Sequence, residues 1–262
     1  MRLVKNVLIP LVFWLAVWQI AAWVVGDSVL FGGQLLLKET HLLLPGPWTV
    51  LRTLTELVVE TAFWRSAGLT LLRVFLGLVA GGVLGVVIAV LTCASVWCDR
   101  LLSPLVKVIR ATPVASFILL ILLWVQTGRV PGVISALMAL PIVWGNVSKG
   151  IRQTDPMLLE MAKAYRFDGW KCLKLIYIPS VAPYFNAAVE TGLGLAWKAG
   201  VAAEVLCHPK WGIGTQVYLS KLNLETPHLF AWTAVVIALS FLVETVLVRL
   251  LRKAVKFHGP SQ

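Results

Sequence analysis

The chain has 262 residues, of which 59% are hydrophobic and only 13% are charged, about half the charged fraction of a typical soluble domain. Its apolar residues form blocks long enough to cross a bilayer, which takes about 20 residues, so the composition excludes an ordinary soluble protein. The net charge of +11 could indicate nucleic-acid binding, but the basic residues flank the apolar blocks, where membrane topology explains them. We expect an all-α, polytopic membrane protein that binds no nucleic acid.

Six apolar blocks predict about six transmembrane helices within a single transmembrane domain, residues 1–262. They are residues 8–25, 69–92, 103–125, 130–147, 184–206 and 229–248. The first block has features of a signal peptide, but it is long and rich in Trp, so we interpret it as a retained span. With the N-terminus inside, fifteen Lys and Arg lie on the cytoplasmic side and six, including Lys38, on the outer side. This positive-inside bias predicts cytoplasmic termini.

The outer segment after the first span predicts an amphipathic helix at the membrane interface. Pro47 suits a helix start, and Leu51, Leu54 and Val58 fall on one helical face. An ordered outer loop without a binding role is the alternative.

Glycine and proline residues in the next three predicted spans indicate a compact helical bundle. Gly77, Gly81 and Gly85 recur every four residues and leave one helix face nearly bare, which allows close packing. We expect that packing to be within the chain rather than between two copies. Pro104, Pro113, Pro131 and Pro141 fall in or near spans three and four, where neighbouring helices must satisfy the freed backbone groups.

Residues 151–183 predict a cytoplasmic helix–turn–helix protrusion between two spans. Asp155 and Pro156 form a helix start, and one apolar face follows, comprising Met157, Leu158, Met161, Ala164 and Tyr165. Ala162 and Ala164 are small enough to let another surface approach. After a turn at Phe167-Asp168-Gly169, a second helical run should end at Pro179 and Pro183. The apolar face either docks a partner or packs on the ends of the chain's own spans.

Five charged residues lie inside predicted spans, where charges rarely face lipid. They are Arg73, Glu190, Lys198, Glu204 and Glu244. On a helical wheel Glu190 and Glu204 lie within about 40°, and Lys198 is about 80° from Glu190, so one side of this helix is polar. We expect this side to line the bundle interior or a cavity, with Glu190, Trp197, Lys198 and Glu204 as candidates for a translocation path. Lys198, beside Trp197, could meet an anionic solute along a translocation path. Alternatively, Lys198 pairs structurally with Glu190 or Glu204. Arg73 and Glu244 are interpreted as structural.

Several of these stretches resemble the permease subunits of bacterial ABC importers. Glu160-Met161-Ala162 followed by Ile176-x-Ile178-Pro179 is similar to the family's E-A-A…I-x-L-P loop. Residues 69–86, 110–124, 155–165 and 194–206 resemble the branch serving nitrate, sulfonate, taurine and thiamine-precursor import. One position departs from the pattern: Arg166 stands where the family usually has Gly, and Gly169 could take over the turn.

The resemblance implies a type I ABC importer permease fold in the bacterial inner membrane. The loop would supply a coupling helix for a separate ATPase subunit, with contacts at nine residues. They are Asp155, Leu158, Glu160, Met161, Ala162, Ala164, Tyr165, Arg166 and Gly169.

The resemblance also implies a second copy of the chain, an extracytoplasmic substrate-binding protein, and a minor outer-gate role for Trp211 and Gly212. The chain has no G-x-x-x-x-G-K-[ST] loop, so we expect no ATP binding by that route and no catalysis by this chain. We also expect no cofactor and no metal site. A stand-alone secondary transporter or channel is the main alternative, and a membrane enzyme is the third.

Overall fold

The computed structural model describes residues 2–27 and 44–256, and side chains within 9–10, 12–24 and 44–249. Lys38 and the two chain ends therefore lie outside the described residues. The regular secondary structure of the described part is helical throughout. The helices are α1 (Arg2–Asp27), α2 (Pro47–Val59), α3 (Thr61–Ala94), α4 (Val96–Ala111), α5 (Val114–Ile121), α6 (Val130–Arg152), α7 (Pro156–Ala164), α8 (Gly169–Cys172), α9 (Ile178–Cys207), α10 (Ile213–Leu222) and α11 (Thr226–Lys256), with a π-helical segment, Leu173–Tyr177, between α8 and α9.

Four helical stretches of the described chain are long and apolar enough to cross a bilayer. They are α3, α6, the continuous run Gly169–Cys207, and Thr226–Arg249 within α11. The bent pair α4 and α5 makes a fifth candidate, and α1 contributes the shorter apolar stretch Val12–Val24. The structure therefore confirms a polytopic helical membrane protein, with four to five clear spans where the sequence predicts about six.

The predicted third span, residues 103–125, is wrong as a single helix. Helix α4 ends at Ala111, and α5 leaves it at an angle of 105°. Thr112 precedes a proline and adopts extended angles, φ −76° and ψ 132°, because the Pro113 ring disfavours helical geometry at the residue before it. Apolar residues continue on both sides of this break, and Lys107 and Arg110 just before it are the signals in the sequence against a single span.

The predicted glycine face packs against another helix of the same chain, as expected, and not against a second copy. A Cβ atom added at Gly77 or Gly81 would overlap the backbone carbonyl oxygen of Gly132 or Ala136 on α6. At Gly85 it would come within 2.8 Å of the Val143 Cβ. Backbone oxygens cannot move aside as a flexible side chain can, so these glycines let α3 and α6 approach closely. Helix α9 packs on the same pair and completes the core.

The expected helix end at Pro179 and Pro183 is also wrong. The helical run continues from Gly169 to Cys207, with the π-helical segment Leu173–Tyr177 immediately before α9. Proline has no N–H, and its ring clashes with the carbonyl four residues earlier in regular α-helix. For Pro179 that carbonyl belongs to Leu175, inside the wider π-helical turn, which relieves the clash. The second part of the predicted protrusion and the span are thus one continuous helical run, whereas α7 is separate from it.

Helix α2 forms as predicted but turns a different face to the bundle. Its buried residues are Val50, Thr53 and Leu57. Leu51 and Val58, two members of the predicted apolar face, are exposed. The packed face was missed because it includes Thr53, whose hydroxyl donates to the Thr49 carbonyl in its own helix and can therefore be buried.

Candidate functional site

Helix α7 is fixed at its start by local chemistry that the sequence predicts. The Asp155 side chain accepts a hydrogen bond from the Met157 backbone N–H at 2.8 Å, and Pro156 occupies the first helical position. Aspartate is a favoured N-cap because it satisfies a backbone donor that the helix leaves free. The protrusion therefore begins with a defined direction relative to α6.

The end of α7 is equally well defined, and Arg166 makes it so. Arg166 adopts a left-handed backbone with φ 48°. Its N–H donates to the Lys163 carbonyl at 3.1 Å, and the Phe167 N–H donates to the Ala162 carbonyl at 2.9 Å. This pair of bonds is a Schellman motif, which usually has glycine at the left-handed position. Arg166 thus performs the turn that the family pattern assigns to Gly.

The expectation that Gly169 takes over this turn is wrong. Gly169 is the first residue of α8, and the Asp168 side chain before it accepts from the Lys171 backbone N–H at 2.9 Å. The register of the family loop is therefore retained at Arg166, despite the change of residue.

Most of the apolar face of α7 is uncovered in the single chain. Met157 is 75% exposed, Tyr165 is 74% exposed, and Leu158 and Met161 are about 40% exposed. The small Ala164 and the carboxylate of Glu160 are exposed as well. Ala162, in contrast, is 4% exposed and faces its own chain, so it supports the surface from beneath. The apolar face of α7 therefore does not pack on the ends of the chain's own spans, which was the alternative interpretation.

The polar residues predicted on one side of the fifth span separate into two environments. Glu190 and Lys198 lie on the exposed surface of α9, and within the described residues neither forms a salt bridge. Trp197 is buried at 2% exposure, and its indole N–H has no hydrogen-bond partner there. The predicted pairing of Lys198 with Glu190 or Glu204 is therefore wrong for the single chain.

Glu204 is instead held by α3. Its side chain is completely buried, and one carboxylate oxygen lies 2.9 Å from Nη1 of Arg73. The other oxygen accepts from the Thr70 hydroxyl at 2.8 Å and from the Gly214 backbone N–H at 3.1 Å. Three donors surround a buried carboxylate, as burial of a charge requires. Glu204 and Lys198 face different neighbours because α10 and the segment before it cover only the last turns of α9.

The segment 208–214, between α9 and α10, wraps around this carboxylate. The Arg73 guanidinium also donates to the Trp211 carbonyl, and the Ile213 N–H donates to the Thr70 hydroxyl at 2.9 Å. A Cβ at Gly212 would lie 2.6 Å from the Glu204 carboxyl carbon, so only glycine fits this wall. Trp211 and Gly212 therefore belong to a cluster built around an ion pair.

Sequence reasoning missed Thr70 and the Arg73–Glu204 pair, although a signal was available. Arg73 and Glu204 are opposite charges on different spans, and each lies near the outer end of its predicted helix. Intramembrane charges usually pair with one another, so charges on different helices should have been compared. A helical wheel relates only charges on the same helix, so it does not reveal a pair between two helices.

These features define a class: a helical membrane protein with an exposed protrusion capped at both ends, and with exposed charged residues on one of its membrane-spanning helices. The chain belongs to the family of binding-protein-dependent transport system inner membrane components, whose family model matches residues 81–257. It is therefore a permease subunit of such a transport system.

Relatives and a solved structure agree with this assignment. The chain is 26% identical to the putative aliphatic sulfonates transport permease protein SsuC of Bacillus subtilis, covering 97% of this chain and 88% of the relative. It is 24% identical to the taurine transport system permease protein TauC of Escherichia coli, covering 84% and 82%. A crystal structure of an amino acid ABC transporter matches with a TM-score of 0.60 and 18% identity, covering 79% and 96%. The predicted ABC permease fold is confirmed.

Proposed function

We propose that this permease subunit forms half of the membrane path of an importer for a small solute and transmits ATP hydrolysis from a separate ATPase. The path would lie between two copies of the chain, and an extracytoplasmic binding protein would deliver the solute. Both termini and residues 151–183 would face the cytoplasm. The names of the sulfonate and taurine relatives favour a small anion, whereas a thiamine-precursor-like solute stays open.

The observation that carries this proposal is the exposed, rigid protrusion at α7. Its start is fixed by Asp155 and its end by the left-handed turn at Arg166, yet Met157 and Tyr165 between them are about three-quarters exposed. Large exposed apolar side chains in a rigid array mark protein interaction sites. Because the basic loops favour a cytoplasmic location, an ATPase subunit is the partner that this surface fits.

Affinity purification from native membranes tests the coupling role. A tagged chain should recover an ATPase subunit, and Met157→Glu should remove it by placing a charge in the docking surface. Leu222→Glu is the matched control, because Leu222 is also exposed but lies at the end of α10. If the wild-type chain is recovered alone while another ABC complex survives the same detergent, the coupling proposal fails and a stand-alone transporter becomes the better account.

The exposed polar face of α9 supports the position of the path. Glu190 and Lys198 are charged, uncovered and inside a span, so they need either water or a second subunit to face. In a dimer of this chain, that face would line the space between copies. Lys198 would then attract an anionic solute, while the buried Trp197 supports the helix behind it.

Transport assays separate a solute contact from a structural role for Lys198. We expect Lys198→Ala to reduce uptake of the cognate anion at least tenfold and Lys198→Arg to retain most of it. Lys221→Ala, an exposed lysine at the end of α10, is the control. Unchanged uptake by a normally assembled Lys198→Ala complex would remove Lys198 from the path.

A further inference from the structure

A groove of about 590 Å³ lies between the ends of α3 and α6 and the start of α9, next to the protrusion. This volume is typical of small-molecule binding sites. Its walls include Val90 and Cys93 on α3, Ile151 on α6, and Tyr177, Val181 and Phe185 along the run into α9. Among all its lining residues only Cys93 and Tyr177 carry polar side-chain atoms, and none is charged. The groove therefore suits a hydrocarbon chain and does not suit an ionic solute.

The groove is separate from the polar face of α9. Taking 100° per residue, two lining residues on α9, Val181 and Phe185, lie roughly 140° and 180° around the helix from the midpoint between Glu190 and Lys198. The wall on α3 continues into an exposed surface of purely apolar residues that includes Val83, Leu84 and Val87. Such a surface fits lipid. The groove thus opens beside lipid-facing helix surface, away from the proposed solute path.

Basic residues border the groove at one end. Lys174 follows the lining residue Leu173, and Lys171 lies one turn earlier. Both are exposed, and neither forms a salt bridge within the described residues. Arg152 follows Ile151 and is 3.7 Å from Asp99. An apolar groove bordered by free positive charge is complementary to an acyl chain joined to an anionic headgroup.

We propose that this groove binds one acyl chain of an anionic phospholipid from the cytoplasmic leaflet, with the headgroup on Lys171 and Lys174. The leaflet assignment rests on the membrane orientation given under the proposed function. One wall of the groove is the π-helical segment Leu173–Tyr177, which joins the protrusion to α9. The bound lipid would therefore contact the helical run that follows α7, the helix that carries the docking surface.

Photo-crosslinking of the intact complex in nanodiscs tests this site. The probes are phosphatidylglycerol and phosphatidylcholine that carry a diazirine in one acyl chain. Each probe is present in both leaflets, so the orientation of the protein in the nanodisc does not affect the result. Mass spectrometry locates the crosslinked peptides. We expect phosphatidylglycerol to label the α3 and α9 lining segments around Val90 and Phe185 in preference to phosphatidylcholine.

Substitutions make the test specific. Lys171→Gln and Lys174→Gln should each weaken phosphatidylglycerol labelling in the groove about fivefold. Lys163→Gln, an exposed basic residue on α7, should leave it unchanged. Ala182→Trp should fill the groove and abolish labelling there, while labelling of the outer α3 face around Val83 persists.

Either of two results overturns the proposal: equal groove labelling by both headgroups, or no labelling of lining peptides although the outer α3 face is labelled. The second would show that protein covers the groove. Both results are independent of whether the ATPase co-purifies, so failure here is distinguishable from failure of the coupling role.

Discussion

Two segments that lie at opposite ends of the continuous helical run Gly169–Cys207 are stabilised in different ways: residues 208–214 after it, and α7 before it. Residues 208–214 are held from within, because the buried Glu204 carboxylate and the Arg73 guanidinium bond to their backbone. Helix α7 is held at its two ends, by Asp155 and by the turn at Arg166, and rests on its own chain through the small Ala162. Its large side chains contact little of their own chain.

The difference separates what the chain needs for folding from what it offers to a partner. Backbone groups of Trp211, Ile213 and Gly214 are bonded inside the chain, so changes around them should act on stability. Apolar groups of α7 are uncovered, so changes there should act on assembly. Variants of interior contacts should therefore lower stability without acting on the docking surface, and variants of α7 should weaken assembly without lowering stability.

Removing the Glu204 carboxylate should have the largest effect. Glu204→Ala leaves the Arg73 guanidinium without its charge partner, which typically costs about 3–5 kcal/mol of stability. We expect a strongly lowered melting temperature and a lower yield in membranes. Glu190→Ala, an exposed carboxylate on the same helix, is the control. The pair is not the main stabilising contact if Arg73→Ala and Glu204→Ala prove fully additive in the double variant.

Gly81→Leu should separate α3 from α6 and cost about 3 kcal/mol, because the added side chain meets a backbone carbonyl that cannot yield. Gly82→Leu is a close control, since nothing lies within 4 Å of a Cβ at that position. Thermal melting of the two purified variants measures the difference. Equal melting temperatures would contradict the close approach of the two helices.

Tyr165→Glu should leave the melting temperature unchanged and weaken ATPase binding about thirtyfold, the effect of losing a contact worth about 2 kcal/mol. The residue is 74% exposed, so the free chain loses little packing. Titration of the purified ATPase onto the variant in nanodiscs measures the affinity. A variant with a lowered melting temperature and unchanged ATPase affinity would show that Tyr165 serves the stability of the chain and not ATPase binding.

Arg166→Gly should have the smallest effect and the opposite sign. The left-handed backbone at φ 48° costs a non-glycine residue about 1 kcal/mol, which glycine recovers. We expect a slightly raised melting temperature, whereas Arg166→Ala, which retains the strain, should leave it unchanged. If glycine also lowers ATPase affinity, the guanidinium contributes to docking.

Features that depend on one stretch of chain could be predicted from the sequence. The spacing of Gly77, Gly81 and Gly85 indicated a close helix contact, and Asp155 with Pro156 marked the start of α7. In both cases the residue types themselves impose the geometry. At Arg166 the backbone hydrogen bonds of the helix end impose the geometry instead, because the turn is left-handed although its residue is not glycine.

Features that depend on two distant stretches were missed or wrong. The chain bends at Thr112, before Pro113, whereas the helix passes through Pro179 because the π-helical segment makes room for its ring. Both positions contain proline, and only the surrounding helix geometry decides between a break and a continuation. The Arg73–Glu204 pair likewise depends on which helices become neighbours.

Hydrogen–deuterium exchange of the permease in nanodiscs, with and without its ATPase, tests the central contrast most directly. We predict that backbone amides of residues 156–166 exchange more slowly when the ATPase is present, while those of residues 211–216 are protected equally in both states. No change at residues 156–166 on binding of the ATPase would contradict the account, because the exposed face of α7 would then not be the surface that the partner covers.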